Sequence, residues 1–99
     1  NRASWKQGIQ DALVRDGFGE LPPGPVAVSL TWRCGPERNW VDLWKPTGDA
    51  MGPLLGWAAS GGPFNVNDDR ITELELHRDA DETMGNRIQV EMSWRSGPA

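Results

Sequence analysis

Cysteine occurs once in this 99-residue chain, at Cys34. That excludes an intrachain disulfide and any multi-cysteine zinc site. A buried, inert thiol is the expected state of Cys34, since nothing in the sequence marks a base beside it. Histidine also occurs once, at His77, which excludes a histidine-rich metal centre. Lysine is scarce, occurring twice, and although arginines are scattered along the chain, acids outnumber bases by 14 to 10, giving a net charge of −4 and a sequence pI of about 4.8. The broad positive field of most DNA-binding domains is therefore missing, because phosphate contacts usually supply much of the affinity. No apolar run approaches the ~20 residues of a membrane helix. The opening NRASWKQGIQ lacks the apolar centre of a signal peptide. No membrane partner is expected, and the cytoplasm is the expected compartment.

Hydrophobic residues make up 37% and charged residues 24% of the chain, a balance that suits a folded domain rather than a disordered one. The length suits one domain, residues 1–99, with one modest core. Residues 4–16 read as a helix: Trp5, Ile9, Ala12 and Leu13 form one stripe, Ser4 is the candidate N-cap, and Gly17 is the stop. Residues 25–33 alternate as a half-buried strand, with Val26, Val28, Leu30 and Trp32 on the apolar side. Residues 57–67, rich in glycine and asparagine, read as a loop. Residues 70–78 alternate again, with Thr72, Leu74 and Leu76 inward and Ile71, Glu73, Glu75 and His77 outward. Residues 87–95 place Ile88, Val90, Met92 and Trp94 on one face. The last two strands read as an antiparallel hairpin joined by DADETMGN, and SGPA as a frayed tail. The expected fold is α+β: a small mixed or antiparallel sheet of three to four strands with two helices on one face.

The stretch NWVDLWKPTGDAMGPLLG, residues 39–56, puts Asp42, Lys45 and Asp49 into a segment broken by glycine and proline. Pro46 suits the first turn of a helix, while Gly48 and Pro53 keep that helix short. Downstream, NDDRITELELHR sets Asp68 and Asp69 just before an alternating strand. In this order and spacing the chain resembles the RusA family of Holliday junction resolvases over most of its length. Lys45 and Asp49 keep the family's spacing, and Asp68–Asp69 matches the acidic pair at the start of a strand. Aligned on Lys45, the two family aspartates fall on Asn39 and Val41, and the family asparagine on Asp42. The resemblance implies a further strand upstream of Asn1. It also implies Mg²⁺-dependent cleavage of branched DNA by a homodimer, with Mn²⁺ as a substitute metal. On that basis the catalytic candidates are Asp42, Lys45 and Asp69, and the metal candidates are Asp42, Asp68 and Asp69. Mg²⁺ is held by a few carboxylates and activates water, and a nearby lysine neutralises charge on the phosphate. Trp40, Trp44, Arg38 and Arg70 are candidates for nucleic-acid or interface contacts.

Other roles compete for the same residues. Asp68 and Asp69 are equally suited to closing a turn over backbone amides. Asp49 is placed to pair with Lys45 at i, i+4. Lys45 is suited to laying its stem on Trp44 with a wet ammonium. Glu73, Glu75 and His77 read as a solvated strand face. Trp5, Trp32 and Trp94 read as core, while Trp40, Trp44 and Trp57 suit core or interface packing better than base stacking in so acidic a chain. Three functions remain open at this point: an active junction nuclease, a non-catalytic RusA-like dimer that binds DNA or protein, and an unrelated α/β interaction domain. An arginine rim around the acidic cluster would favour DNA; an even scatter would not.

Overall fold

The computed structural model describes residues 2–57, 64 and 66–96. Within them the chain forms a helix, a strand, two short helices and two further strands. Helix α1 spans Arg2–Arg15. It starts earlier than the sequence suggests, so Ser4 lies in its first turn and is not the N-cap. Arginine and alanine, which precede Ser4, are good helix formers and extend the turn upstream. Its end is as expected. Gly17 has φ +85°, its N–H donates to the Val14 carbonyl, and the Phe18 N–H donates to the Leu13 carbonyl. Those two bonds make a Schellman closure, which calls for a left-handed residue at Gly17.

Strand β1, Val26–Cys34, is the centre of a three-stranded mixed sheet. β2, Ile71–Ala80, runs parallel to it on one side, and β3, Gln89–Ser96, runs antiparallel on the other. The expected β2–β3 hairpin does not form; β1 lies between the two strands. The reason is composition. Val26, Val28, Leu30, Trp32 and Cys34 are all essentially without solvent exposure, so the strand richest in buried apolar side chains takes the doubly paired position. The charged strands take the edges, where one ladder face can stay wet. A 3-10 turn at Glu82–Met84 carries the chain across the end of β1, where the Asp81 N–H donates to the Cys34 carbonyl at 2.9 Å. Asp81 caps this turn, accepting from the Thr83 N–H at 2.8 Å, the Thr83 hydroxyl at 2.6 Å and Arg33 Nε at 2.8 Å. These bonds, with Thr83 foremost, lower its pKa to about 2.

The register of β2 corrects a second expectation. Ile71 pairs with Val26 and Glu73 with Ala27, so Thr72 is the extra residue of a bulge. Ile71 is thereby turned inward against the core and Thr72 outward. Leu74 and Leu76 stand beside Val28 and Leu30 as expected, but Leu74 is 39% exposed because this edge is only partly covered.

The helices pack on the apolar side of the sheet. Leu13 of α1 belongs to one core with Val26, Val28, Leu30 and Trp32 of β1, to which the stretch after β1 adds Leu43, Met51, Leu54 and Leu55. That stretch is a 3-10 turn, Trp40–Leu43, then α2, Trp44–Asp49, then α3, Gly52–Leu55. A buried polar link ties it to the sheet. Trp32 Nε1 donates to Thr47 Oγ1 at 3.1 Å, and that hydroxyl donates to the Leu43 carbonyl at 2.7 Å. Both side chains are fully buried, and the relay gives each polar atom a partner that burial would otherwise deny it. Cys34 is buried with a free thiol, as expected. The loop expected at 57–67 falls largely outside the described residues, but Trp57 and Val66 at its two ends form an antiparallel bridge. Of the SGPA tail, Ser96 belongs to β3 opposite Val26, and 97–99 lie outside the described residues. No described helix is long and apolar enough to cross a membrane.

Candidate functional site

The two halves of the central signature meet in space. Lys45, the second residue of α2, places its ammonium 2.9 Å from Asp49 Oδ1 and 3.9 Å from Asp68 Oδ2. Asp68 and Asp69 belong to a 3-10 turn, Asp68–Arg70, that opens directly into β2. The parallel pairing of β1 with β2 brings this turn back beside the chain that leaves β1 by way of α2. Hydrogen bonding to Asp49, and the charge of that carboxylate, hold the Lys45 ammonium above its ordinary pKa. Lys45 remains 70% exposed, so the pair is a surface contact of modest energy.

Asp49 serves as a structural anion. Its second oxygen lies 3.3 Å from Lys6 Nζ of α1, and its side chain is only 18% exposed. Two ammonium groups thus share one carboxylate and join α1 to α2. Lys6 also stands over the Phe64 ring, 5.0 Å from its centre. Sequence reading found the i, i+4 pair but not Lys6, because the helix that carries it is distant along the chain.

The other candidates divide. Asp42 is exposed in the 3-10 turn, and Asn39 Nδ2 donates to its Oδ2 at 2.9 Å. Trp40 and Trp44 are partly buried against the core; the Trp40 ring centre lies 6.0 Å from that of Trp32. Trp44 lies over Gly48, where a Cβ would stand 3.0 Å from the indole, so glycine there makes room for the ring. Arg38 is exposed in the turn that follows β1. Arg70 is committed elsewhere. Its guanidinium donates to the carbonyls of Leu21, Gly24 and Leu55 at 3.1–3.3 Å, and also to that of Pro22. It fastens the segment before β1 to the end of α3, where exposed carbonyls favour a cation.

Asp69 lines a different cleft, of about 570 Å³, together with Glu20, Trp57, Asn67 and Arg70; Lys45, Asp49 and Asp68 are not among its lining residues. Trp57 is 49% exposed, and its indole fits so closely over Gly52 that a Cβ there would come within 2.4 Å of the ring. Nothing in the sequence pointed to Glu20 as a neighbour, since it lies in an irregular proline-rich segment. Among the described residues, no three or more aspartate, glutamate, histidine or cysteine side chains converge as a metal-binding group. The donor set thus does not fit the three-acid Mg²⁺ site that the signature implies, since Asn39 and Val41 stand at two acid positions and Lys45 lies beside Asp68.

The arginines are dispersed. Arg33 pairs with Asp79 and Asp81, Arg95 with Glu73 and Arg15 with Asp16, while Arg87 donates to backbone carbonyls. No basic rim surrounds Asp68 and Asp69 among these contacts. No protein-family model, curated protein or solved structure matches the chain.

Proposed function

We propose that this chain is a RusA-like domain that binds branched DNA through the neighbourhood of Lys45 without cutting it. The observation that carries the reading is the contact of Lys45 with both Asp49 and Asp68, which unites the two separated halves of the signature. Lys45 is the exposed cation of the site and the group suited to a phosphate. Cleavage is disfavoured by the acids themselves. Asp49 is neutralised by two lysines, Asp42 accepts a hydrogen bond from Asn39, and the two positions where the resemblance expects aspartates hold Asn39 and Val41. The dispersed arginines and the net charge of −4 mean that few phosphates are contacted. Affinity is then modest and its salt dependence shallow, with a log–log slope of roughly −1 to −2.

One observation favours a second reading, junction cleavage. Asp68 and Asp69 are adjacent and exposed, with Asp68 3.9 Å from Lys45, and Mg²⁺ is commonly held by only one or two carboxylates with retained waters.

A labelled four-way junction tests both readings. Binding is measured by fluorescence anisotropy over a salt series, and cleavage with Mg²⁺ or Mn²⁺, for the native chain, Lys45→Glu and Asp69→Asn. The expected result is binding that Lys45→Glu weakens about tenfold, with no cutting by any of the three. Metal-dependent cutting that Asp69→Asn abolishes would establish the second reading instead. A folded native chain that binds no junction would end both.

A further inference from the structure

The cleft that Asp69 lines has a chemistry of its own. Its volume, about 570 Å³, is that of a small-ligand site. Two carboxylates line it: Glu20 from the irregular segment after α1, and Asp69 from the turn before β2. Both residues are exposed, and neither carboxylate has a hydrogen-bond or ion-pair partner among the described residues. The Glu20 carboxylate lies against Gly56, where a Cβ would come within 2.8 Å of it, so the glycine makes room for the acid. Arg70 is the one cation of the lining, and it donates to four backbone carbonyls. A guanidinium has five N–H groups, so Arg70 has little left to offer an anion. An anionic ligand would also meet both carboxylates. Two acids against one occupied base make the cleft a site for a cation.

Trp57 narrows the choice of cation. Its indole is half exposed at the cleft, and it is held there by its seat on Gly52 and by the bridge from Trp57 to Val66. The walls are fixed by backbone bonds as well. The Leu21 N–H donates to the Leu54 carbonyl and the Asn67 N–H to the Gly56 carbonyl, both at 2.9 Å. Arg70 ties the segment from Leu21 to Gly24 to Leu55. Walls set in advance lower the ordering cost of binding. We propose that this cleft binds a guanidinium group, of a small molecule or of an arginine side chain, against Trp57 and the carboxylates of Glu20 and Asp69. A guanidinium is planar, so it stacks on an indole and presents a fork of N–H donors to a carboxylate. An ammonium is a compact point charge without that fork. The site stands on the cleft alone and does not depend on DNA binding.

The test follows the Trp57 indole N–H by two-dimensional ¹H–¹⁵N magnetic resonance of the native chain, its peak identified by its loss in Trp57→Phe. The probes are arginine amide, lysine amide and a capped Gly-Arg-Gly peptide. The expected result is a saturable shift with arginine amide, with a Kd on the order of 1 mM. Glu20→Gln and Asp69→Asn, both exposed positions, each weaken it about fivefold by removing a charge-assisted partner. Glu82→Gln, outside the cleft, leaves it unchanged. Lysine amide binds at least about threefold more weakly. Binding of the capped peptide at equal or greater affinity upholds the proposal with an arginine side chain as the ligand. Binding of arginine amide alone upholds it with a free small molecule. No saturable shift by about 20 mM overturns the proposal, since that is well above the expected Kd. So does binding that is as strong in both acid variants, or as strong with lysine amide.

Discussion

Thr47→Val isolates the buried relay that joins α2 to the sheet. Valine keeps the shape of threonine and removes the hydroxyl. Trp32 Nε1, in a ring with no solvent exposure, then loses its acceptor at 3.1 Å, and the Leu43 carbonyl loses a donor at 2.7 Å. A buried N–H left without a partner costs about 1–3 kcal/mol. A midpoint near 2 kcal/mol lowers the melting temperature of a domain this size by roughly 8–16 °C, at 4–8 °C per kcal/mol. The assay is thermal and urea unfolding followed by circular dichroism, since the six tryptophans make fluorescence ambiguous. The same substitution is then made in a Trp32→Phe background, where no indole N–H exists to be stranded. There Thr47→Val should cost at least about 1 kcal/mol less, a coupling within the usual range for contacting residues. A Thr47→Val protein within ~0.5 kcal/mol of the native chain would refute the reasoning, that being the scatter of neutral substitutions. An equal cost in both backgrounds would refute it as well.

Asp81 governs a window of acid stability. Its folded pKa is lowered to about 2 by Thr83 and Arg33, so its contribution is present above the unfolded value, near 3.8, and is lost as the pH falls through 2. Asp81→Asn should therefore lower stability at pH 7 and flatten the loss between pH 4 and pH 2 in acid titrations of urea midpoints. Asp49→Asn should destabilise more than Lys45→Met, because it strands two lysines, whereas the exposed Lys45 is worth only about 0.2–1 kcal/mol. Urea midpoints in the opposite order would contradict the assignment of Asp49 as the shared anion. Arg70→Met removes four donations to backbone carbonyls and should cost about 1.5–3 kcal/mol, with faster proteolysis at residues 21–25 than elsewhere. Gly52→Ala should expel the Trp57 indole from its seat without unfolding the sheet, seen as a red-shifted emission component against a native far-ultraviolet spectrum.

Much of the local structure was legible because local rules decide it. Alternation at Val26–Trp32 and at Ile88–Trp94 fixed which faces were apolar, and Gly17 marked the end of α1. The short, broken helix after Lys45 followed from Gly48 and Pro53. The i, i+4 pair of Lys45 with Asp49 was equally visible, because a helix fixes that spacing. Partnership between strands was not visible. Alternation gives a strand two faces but does not say which neighbour lies at each edge, so the sequence suggested a β2–β3 hairpin where β1 intervenes. The bulge at Thr72 was hidden for the same reason, since it depends on how β2 seats against β1, and it reversed Ile71.

For the candidate site, the sequence by itself determined the inventory: one lysine among aspartates, with Asn39 and Val41 close before it along the chain. Only the tertiary structure decided how that inventory is spent. Lys6 arrives from α1 to share Asp49, Arg70 turns to four carbonyls, and Trp40 and Trp44 pack against the core. A charged side chain takes the partners that lie within its reach, and burial and reach are set by elements far apart in the chain. Composition therefore limited what this domain can hold, and packing fixed which groups remain free to meet a partner.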